Sequence, residues 1–506
     1  MTHWLDNLLN RITMYRLLLY VLMAYVAVAA LFGLTGTLSY PALSVSVSAV
    51  FLVAACWLVN RVFAWAYHAP PHNISAYLTG LILALIITPY RTAADLPIFI
   101  WAPILAMAAK YIMAIHRQHI FNPAALAVVL TSLAIGKSAS WWIASAPMLP
   151  VVLIGGILMA RKIRRFQVAL LFLATSLTMT LFYGISHHTN IVSTLREALV
   201  LTPLLFFSTI MLNEPSTMPP TKKFRLLYAV TIGFLSGPQV HLGSTFATPE
   251  LALLTGNLLF YVLARRERFV LRLQEQRNVA MSTMEYVFQS PRKFSFSPGQ
   301  YLEWTLPHHH ADSRGQRRYF TIASSPTEPG LRIGVKFYPK PSSYKETLSH
   351  LKTGDEVVAG QIDGDFTLPK NPKQQLVFVA GGIGVTPFRS MIKYLLDMNQ
   401  PRPITMFSAN LTVQDIAYRD VFDQAEQKLG IRTVYVLTDE PRIPSDWTGR
   451  RGFLNARMIE EEVPDYADHI FYLSGPQAMV KNYEHLLASM GVSRSHIKTD
   501  YFPGFA

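Results

Sequence analysis

Two hydrophobic rhythms divide the chain. Between residues 14 and 264, apolar positions run in long blocks at about 14–34, 41–59, 76–89, 94–115, 123–136, 142–160, 165–185, 197–212, 224–240 and 249–264. Such blocks predict membrane helices, because ~20 apolar residues cover the ~30 Å hydrocarbon core of a bilayer. The blocks at 76–89 and 123–136 are short, as in proteins where broken helices surround a site. The pattern predicts a polytopic α-helical membrane bundle of about ten helices over 1–265. From 276 the rhythm becomes two-residue alternation broken by Gly and Pro: "NVAMSTMEYVFQS", "GQYLEWTLP", "RRYFTIASSP", "LRIGVKFYP" and "DEVVAGQIDGDFTLP". This predicts a small antiparallel β-barrel over 276–370. Strand and helix patterns then alternate, predicting an α/β domain with a parallel sheet over 371–506. Residues 266–275 are expected to be a basic linker.

Charge refines this picture. The formal net charge is +14, but much of it sits beside apolar blocks in "RKIRR" (161–165), "TKKFR" (221–225) and "ARRERFVLR" (264–272). These read as topology signals, and with no base-reading motif no nucleic-acid partner is expected. Basic residues fall in alternate connections, which suits ten spans with both ends inside. The chain is therefore expected in a bacterial-type inner membrane, multi-pass, with the soluble half in the cytoplasm. "MTHWLDNLLNRITMYR" lacks a short apolar core with a small-residue cleavage site, so no removable signal is expected. The single cysteine, Cys56, excludes a disulfide framework, a Cys-ligated iron–sulfur cluster and a Cys-rich zinc site. The bundle's histidines fall at the ends of blocks or in loops, which argues against axial haem ligands. His308, His309 and His310 are expected in a solvated loop, and no metal site is expected.

Within the bundle, "LTGLILALIITP" (78–89), "MAAKYIMAIHRQHIFNPAALA" (107–127) and "STIMLNEPST" (208–217) stand in order. They resemble landmarks of the membrane family formed by the B subunit of the sodium-pumping NADH:quinone reductase and the D subunit of the Rnf complex. The resemblance implies a flavin in the bundle, and by it Asn122 and Glu214 are candidate cofactor-binding residues. Family members commonly carry FMN esterified to a Thr on a non-cytoplasmic loop. The corresponding "GKSASWWIASAPM" (136–148) has Ser138, Ser140 and Ser145 but no Thr, so noncovalent FMN or riboflavin, or a quinone, is the expectation. Trp141 and Trp142 are expected in an interfacial aromatic belt. Glu214 has two readings: a headgroup-level residue paired with Lys222 and Lys223, or part of an electron intake point.

In the soluble half, chemistry gathers at strand ends. "VFVAGGIGVTPFRSM" places Gly381, Gly382 and Gly384 between an apolar strand and a helix starting near Thr386 and Pro387; such turns let a nucleotide approach the backbone. "YLSGPQAMV" (472–480) forms a second such joint. These pieces resemble the ferredoxin–NADP reductase family. By that resemblance "RRYFTIASSP" (317–326) is its flavin signature, with Tyr319, Ile322 and Ser324 in the FAD-binding stretch. Arg318 would meet an FAD phosphate, Phe320 would lie against the isoalloxazine, and Thr321 would bond its N5 region. Ser342 and Ser343 in "SSYKETL" would hold the pyrophosphate. Gly475, Pro476 and Met479 would complete the nicotinamide site, and Phe505 in "DYFPGF" would be the aromatic C-terminus. Thr321 and Ser474 are the catalytic candidates. Ser474 stands where the family has Cys, Phe320 where many members have Tyr, and Leu411 where several place a basic residue. The last favours NADH over NADPH, although Arg389 and Arg419 remain as possible 2′-phosphate partners.

Joined, the halves imply a membrane-bound FAD-dependent NAD(P)H oxidoreductase. Electrons would pass through a flavin or quinone in the bundle to a quinone or an extracytoplasmic redox protein. The alternatives are a redox-driven cation pump component, for which Lys110 and Glu214 are the ionisable groups at hand, and a membrane anchor whose bundle binds no cofactor.

Overall fold

The computed structural model describes residues 5, 9, 12–69, 73–115, 118–163, 165–242, 245–264, 268–290, 295–308, 312 and 315–502. Two compact units emerge, residues 1–266 and 267–506.

Every apolar block of the first unit becomes helix. The helices are Met14–Leu34, Ala42–Ala66, Asn73–Ile86, Leu96–Ile112, Pro123–Ile135, Leu149–Ile163, Phe166–Ser186, Ile191–Val200 continuing into Leu204–Met211, Lys222–Leu235 and Pro249–Leu263. Ten blocks are nevertheless not ten crossings. Among the described residues, four helices are long and apolar enough to cross a membrane: Met14–Leu34, Ala42–Ala66, Ala93–Ile112 and Phe166–Ser186. Ile191–Val200 with Leu204–Met211, bent by 54°, would make a fifth. Asn73–Ile86 and Pro123–Ile135 have 14 and 13 residues, about 20 Å at 1.5 Å per residue. Both are more buried than the long helices, with Ala76, Leu83, Leu85, Ala125, Ala127 and Val128 essentially inaccessible. Outward-facing Leu34, Leu43, Val50, Trp65 and Leu133 are instead open.

The loop 136–148 does not form an interfacial belt. Backbone N–H groups of Ser140 and Trp141 donate to the Ile86 carbonyl at 2.8 and 2.9 Å, and the Trp142 indole donates to Ala84 O at 2.8 Å. The loop thus satisfies carbonyls that the end of Asn73–Ile86 leaves without helical partners. Both tryptophans are buried by this.

In the second unit the expected linker is a correction: Arg268–Ala280 is the longest strand of the barrel sheet. Phe269, Leu271 and Leu273 point into the core while Val270 and Arg272 face out, so the basic residues sit on the outer face of a strand. The sheet runs in the order Arg317–Thr321, Tyr301–Thr305, Glu356–Asp363, Arg268–Ala280, Thr283–Gln289, Leu331–Lys336, antiparallel throughout. Its core includes Trp304, Tyr286, Phe288 and Tyr344.

The following sheet is parallel, ordered Arg450–Arg451, Arg432–Leu437, Ile404–Asn410, Leu376–Gly381, Ile470–Pro476, Ile497–Phe502. Its central strand, Leu376–Gly381, is buried at every position, as both-side coverage by helices requires. Chain progression reverses at this strand: the next strand lies on one side of it and Ile470–Pro476 on the other. Ligands of open α/β sheets bind at such a switch point, outside the carboxyl ends of the strands.

Candidate active site

Both glycine joints open at the switch point. Ala380 lies opposite Ser474 on neighbouring parallel strands. Gly384 packs so tightly that a Cβ there would come within 2.6 Å of Gly475, and one at Gly475 within 2.7 Å of Met479 Cε. Gly382 differs. It has φ +52° and nothing within 4 Å of a would-be Cβ, so its backbone fronts open space. Thr386 and Pro387 are buried at the start of the helix Thr386–Asp397, with Thr386 Oγ1 donating to Ile383 O at 3.2 Å. Pro476 ends the neighbouring strand, and Met479 lies in the first turn of the helix that follows it. Ser474 is fully buried, and its hydroxyl has no hydrogen-bond partner. Buried polar atoms are rarely left so; a carboxamide-bearing nicotinamide is a fitting partner.

The flavin-type strand Arg317–Thr321 sorts its residues by face. Arg318 and Phe320 share one face with Tyr344, the guanidinium 5.0 Å above that ring and Phe320 at 6.0 Å. Arg318 Nη1 donates to Gly315 O at 3.0 Å, and Nη2 lies 3.5 Å from Asp312 Oδ1. Asp312 N–H in turn donates to Ser343 Oγ at 2.9 Å, which also meets His308 Nε2 at 3.0 Å. Arg318, Asp312, His308 and Ser343 therefore converge from three segments. Beside them Ser342 caps its helix by accepting from Lys345 N. The cluster offers cationic and hydroxyl groups suited to a phosphate ester. Tyr319 goes the other way: its hydroxyl donates to Glu303 Oε2 at 2.9 Å on the opposite face, which leaves only its backbone toward the candidate flavin side. Thr321 and Ile322 are buried, and Ser324 Oγ accepts from Arg332 N at 3.1 Å. His309 and His310, like Phe505, lie outside the described residues.

Arg389 is corrected as a phosphate partner. It is 5% exposed and pairs with Glu328, so its charge is committed internally. Arg419 remains half exposed, 3.3 Å from Asp423. The strand ends beside the crevice also present exposed Leu411 and Phe453; Asp439 N–H donates to Leu411 O at 3.1 Å.

Sequence reasoning passed over Asp500, on the strand next to Ser474. Burial first, then the charge of Asp365, pushes its carboxyl up to about 6. No local pattern marks it, because Asp365 arrives from the segment that leaves the barrel sheet.

The bundle holds a second polar cluster. Asn122 Nδ2 donates to Glu214 Oε2 at 2.6 Å, joining the two bundle residues singled out from sequence. Asn122 N–H donates to Asn257 Oδ1 at 3.0 Å, and Asn257 Nδ2 meets Tyr228 Oη at 2.6 Å. Glu214 follows a π-helical turn, Phe207–Met211, a distortion common at functional sites. Asn213 Nδ2 donates to Ser208 O at 2.7 Å within it. Asn213 Oδ1 and Thr217 Oγ1 are buried without partners, and His119, Ser216, Thr217 and Tyr261 line a small cavity. These orphaned acceptors fit a polar ligand. Lys110 donates to Ser75 O, Ser75 Oγ and Thr79 Oγ1 at 2.8, 2.9 and 2.7 Å. Glu250 was also missed: it is buried and accepts from the Trp141 indole at 3.0 Å. Its signal, an acid directly after the proline that opens an apolar helix, was legible. Asn257, amid the apolar run "LALLTGNLLFYVL", was too.

Residues 378–485 match the oxidoreductase NAD-binding domain. The chain is 27% identical over 221 residues to the reductase component of the glycine betaine monooxygenase of Pseudomonas aeruginosa, covering 44% of this chain and 60% of that one. It is 28% identical over 201 residues to a component of the Na(+)-translocating NADH-quinone reductase of Psychrobacter cryohalolentis, 37% and 49% of the two chains. To NADH-cytochrome b5 reductase 1 of Aspergillus terreus it is 28% identical over 235 residues, 44% and 78%. The chain thus spans about 60% of the length of the monooxygenase reductases. Its C-terminal half carries a nucleotide-binding domain of the ferredoxin–NADP reductase type, shared with NADH-dependent reductases.

Proposed function

We propose that the chain is a membrane-bound flavoprotein oxidoreductase. It takes hydride from NADH onto FAD in residues 267–506 and passes electrons into or across the membrane through a flavin or quinone held by the bundle. The observation that carries the reading is the buried, unpartnered Ser474 hydroxyl between the two glycine joints at the switch point. FAD, when bound, takes the hydride and one proton to become FADH2, and it can surrender electrons singly.

The chain's own residues supply binding and orientation. Arg318, Ser342 and Ser343 would hold the pyrophosphate, and Phe320 would give the ring an apolar face. Gly382 leaves room for the nicotinamide nucleotide, and Ser474 would orient its carboxamide. NADH is favoured because Leu411 and Asp439 stand together at the strand ends. An apolar side chain beside a carboxylate suits a ribose hydroxyl and repels a 2′-phosphate. The open apolar flank of the bundle supports a lipid surround, since soluble proteins rarely expose such large patches. The Asn122–Glu214 pair, the π-turn and the orphaned acceptors support a polar redox ligand near "MLNEPST".

The full chain, purified in detergent, tests this by its flavin and quinone content and by a sidedness assay. FAD plus a second redox group is expected, with NADH on the reductase side of sealed vesicles reducing an impermeant acceptor on the other. Glu214→Gln should leave NADH reduction of FAD intact and slow transfer beyond it. FAD alone, with no transmembrane reduction, would reduce the bundle to an anchor. Sodium-dependent turnover in liposomes would favour the pump.

A further inference from the structure

The helix Thr386–Asp397 begins at the nicotinamide-type loop and ends its first turn on the flavin-type strand's continuation. Arg389 Nη1 donates to Ala323 O at 3.0 Å, and Ser390 Oγ donates to Ser324 O at 2.6 Å. These carbonyls lie two and three residues beyond Thr321. Arg389 also pairs with Glu328, its Nη2 2.8 Å from Oε1, and lies 5.6 Å from the Tyr418 ring. Glu328 Oε2 in turn accepts from Ser325 N at 2.7 Å. Arg332, 2.7 Å from Glu285, continues the network into the barrel. One buried guanidinium thus grips the flavin segment from both sides while sitting three residues beyond Thr386. Buried ion pairs are weak contributors to stability, and apolar replacements of similar volume often match them. Stability alone does not explain why this one is kept between two half-sites.

We propose that Arg389, assisted by Ser390, is a positioning residue that sets the spacing between the flavin strand and the nicotinamide loop, and so the hydride-transfer distance. The role rests on the reductase reading above. It touches neither substrate: a ruler between two backbone segments, it acts through Ala323, Ser324 and the Gly381–Val385 turn. Misplacement of reacting groups by ~1 Å costs on the order of 100-fold in rate, so loss of the ruler should appear in the chemical step.

The test uses the full-length, FAD-loaded protein carrying Arg389→Met with Glu328→Gln, which removes both charges together. In stopped flow, the hydride-transfer rate constant should fall roughly 10- to 100-fold. FAD content and NADH dissociation constant should stay within about twofold, and the isotope effect with 4-deuterated NADH should rise. A normal rate and isotope effect, with both ligands bound, would overturn the proposal and leave Arg389 a packing brace. Ser390→Ala removes only the hydroxyl bond to Ser324 and decides the matter if the double variant loses FAD. A several-fold slower hydride transfer is expected from it, and a wild-type rate overturns the idea. Failure of the underlying reading would look different, because the wild-type chain itself would then not be reduced by NADH.

Discussion

Replacing Asp500 by asparagine should stabilise the folded chain at neutral pH and do little near pH 4. Burial, reinforced by Asp365, holds the Asp500 carboxyl up to about 6, against ~3.9 for an unfolded aspartate. A folded-state value above the unfolded one means the folded chain binds the proton more tightly. The resulting stabilisation is complete below about pH 4 and is lost as pH rises through about 6. Two units at ~1.4 kcal/mol each place the full loss on the order of 3 kcal/mol. Asp500 is not wholly sealed from water, so this is a ceiling. Asparagine carries no charge and escapes the loss. Lys498, whose Nζ donates to Tyr472 Oη at 2.8 Å, is unaltered by the change. FAD release on heating, followed by flavin fluorescence from pH 4.5 to 8, should show variant and wild type together at low pH. They should separate between about 5 and 7 by roughly 2–4 °C per kcal/mol. Asp365→Asn should move that separation to lower pH. A difference that is flat with pH, or that shrinks as pH rises, would refute the reasoning.

Removing the guanidinium with Arg318→Ala should weaken FAD binding by roughly 10- to 150-fold, the worth of a charged hydrogen-bonded contact at ~1.5–3 kcal/mol; unchanged flavin content on dilution would exclude that phosphate site. Gly382→Trp should fill the open side of the loop and raise the KM for NADH sharply with FAD retained; unaltered KM would move the nucleotide elsewhere. Leu411→Arg with Asp439→Asn should raise the NADPH-to-NADH ratio of kcat/KM at least tenfold, and an unchanged ratio would show that the 2′-position is recognised by other residues.

What was legible in the sequence followed from local rules. The apolar blocks became helices because backbone polarity in an apolar stretch is met within a helix. The alternations of "LRIGVKFYP" and "RRYFTIASSP" became strands because period-two patterning suits a half-buried sheet. The alternation in "RFVLRLQEQR" was present too, but its charge drew attention to a linker when the same residues were the outer face of a strand. Asn122 and Glu214 were singled out separately, 92 positions apart, and the fold joined them in one hydrogen bond.

The sequence by itself determined the two-part architecture, the glycine joints and the phosphate-type arginine, because each depends on neighbours a few residues away. Only the tertiary structure decided which partners met across long separations. It turned Arg389 inward to Glu328, sent Tyr319 to Glu303, buried Trp141 against Glu250 and set Asp500 beside Asp365. A side chain's charge is written in its own codon, but whether water, a counter-charge or nothing surrounds it depends on distant segments arriving there. That is why the chemistry could be sketched from the chain while the electrostatics could not.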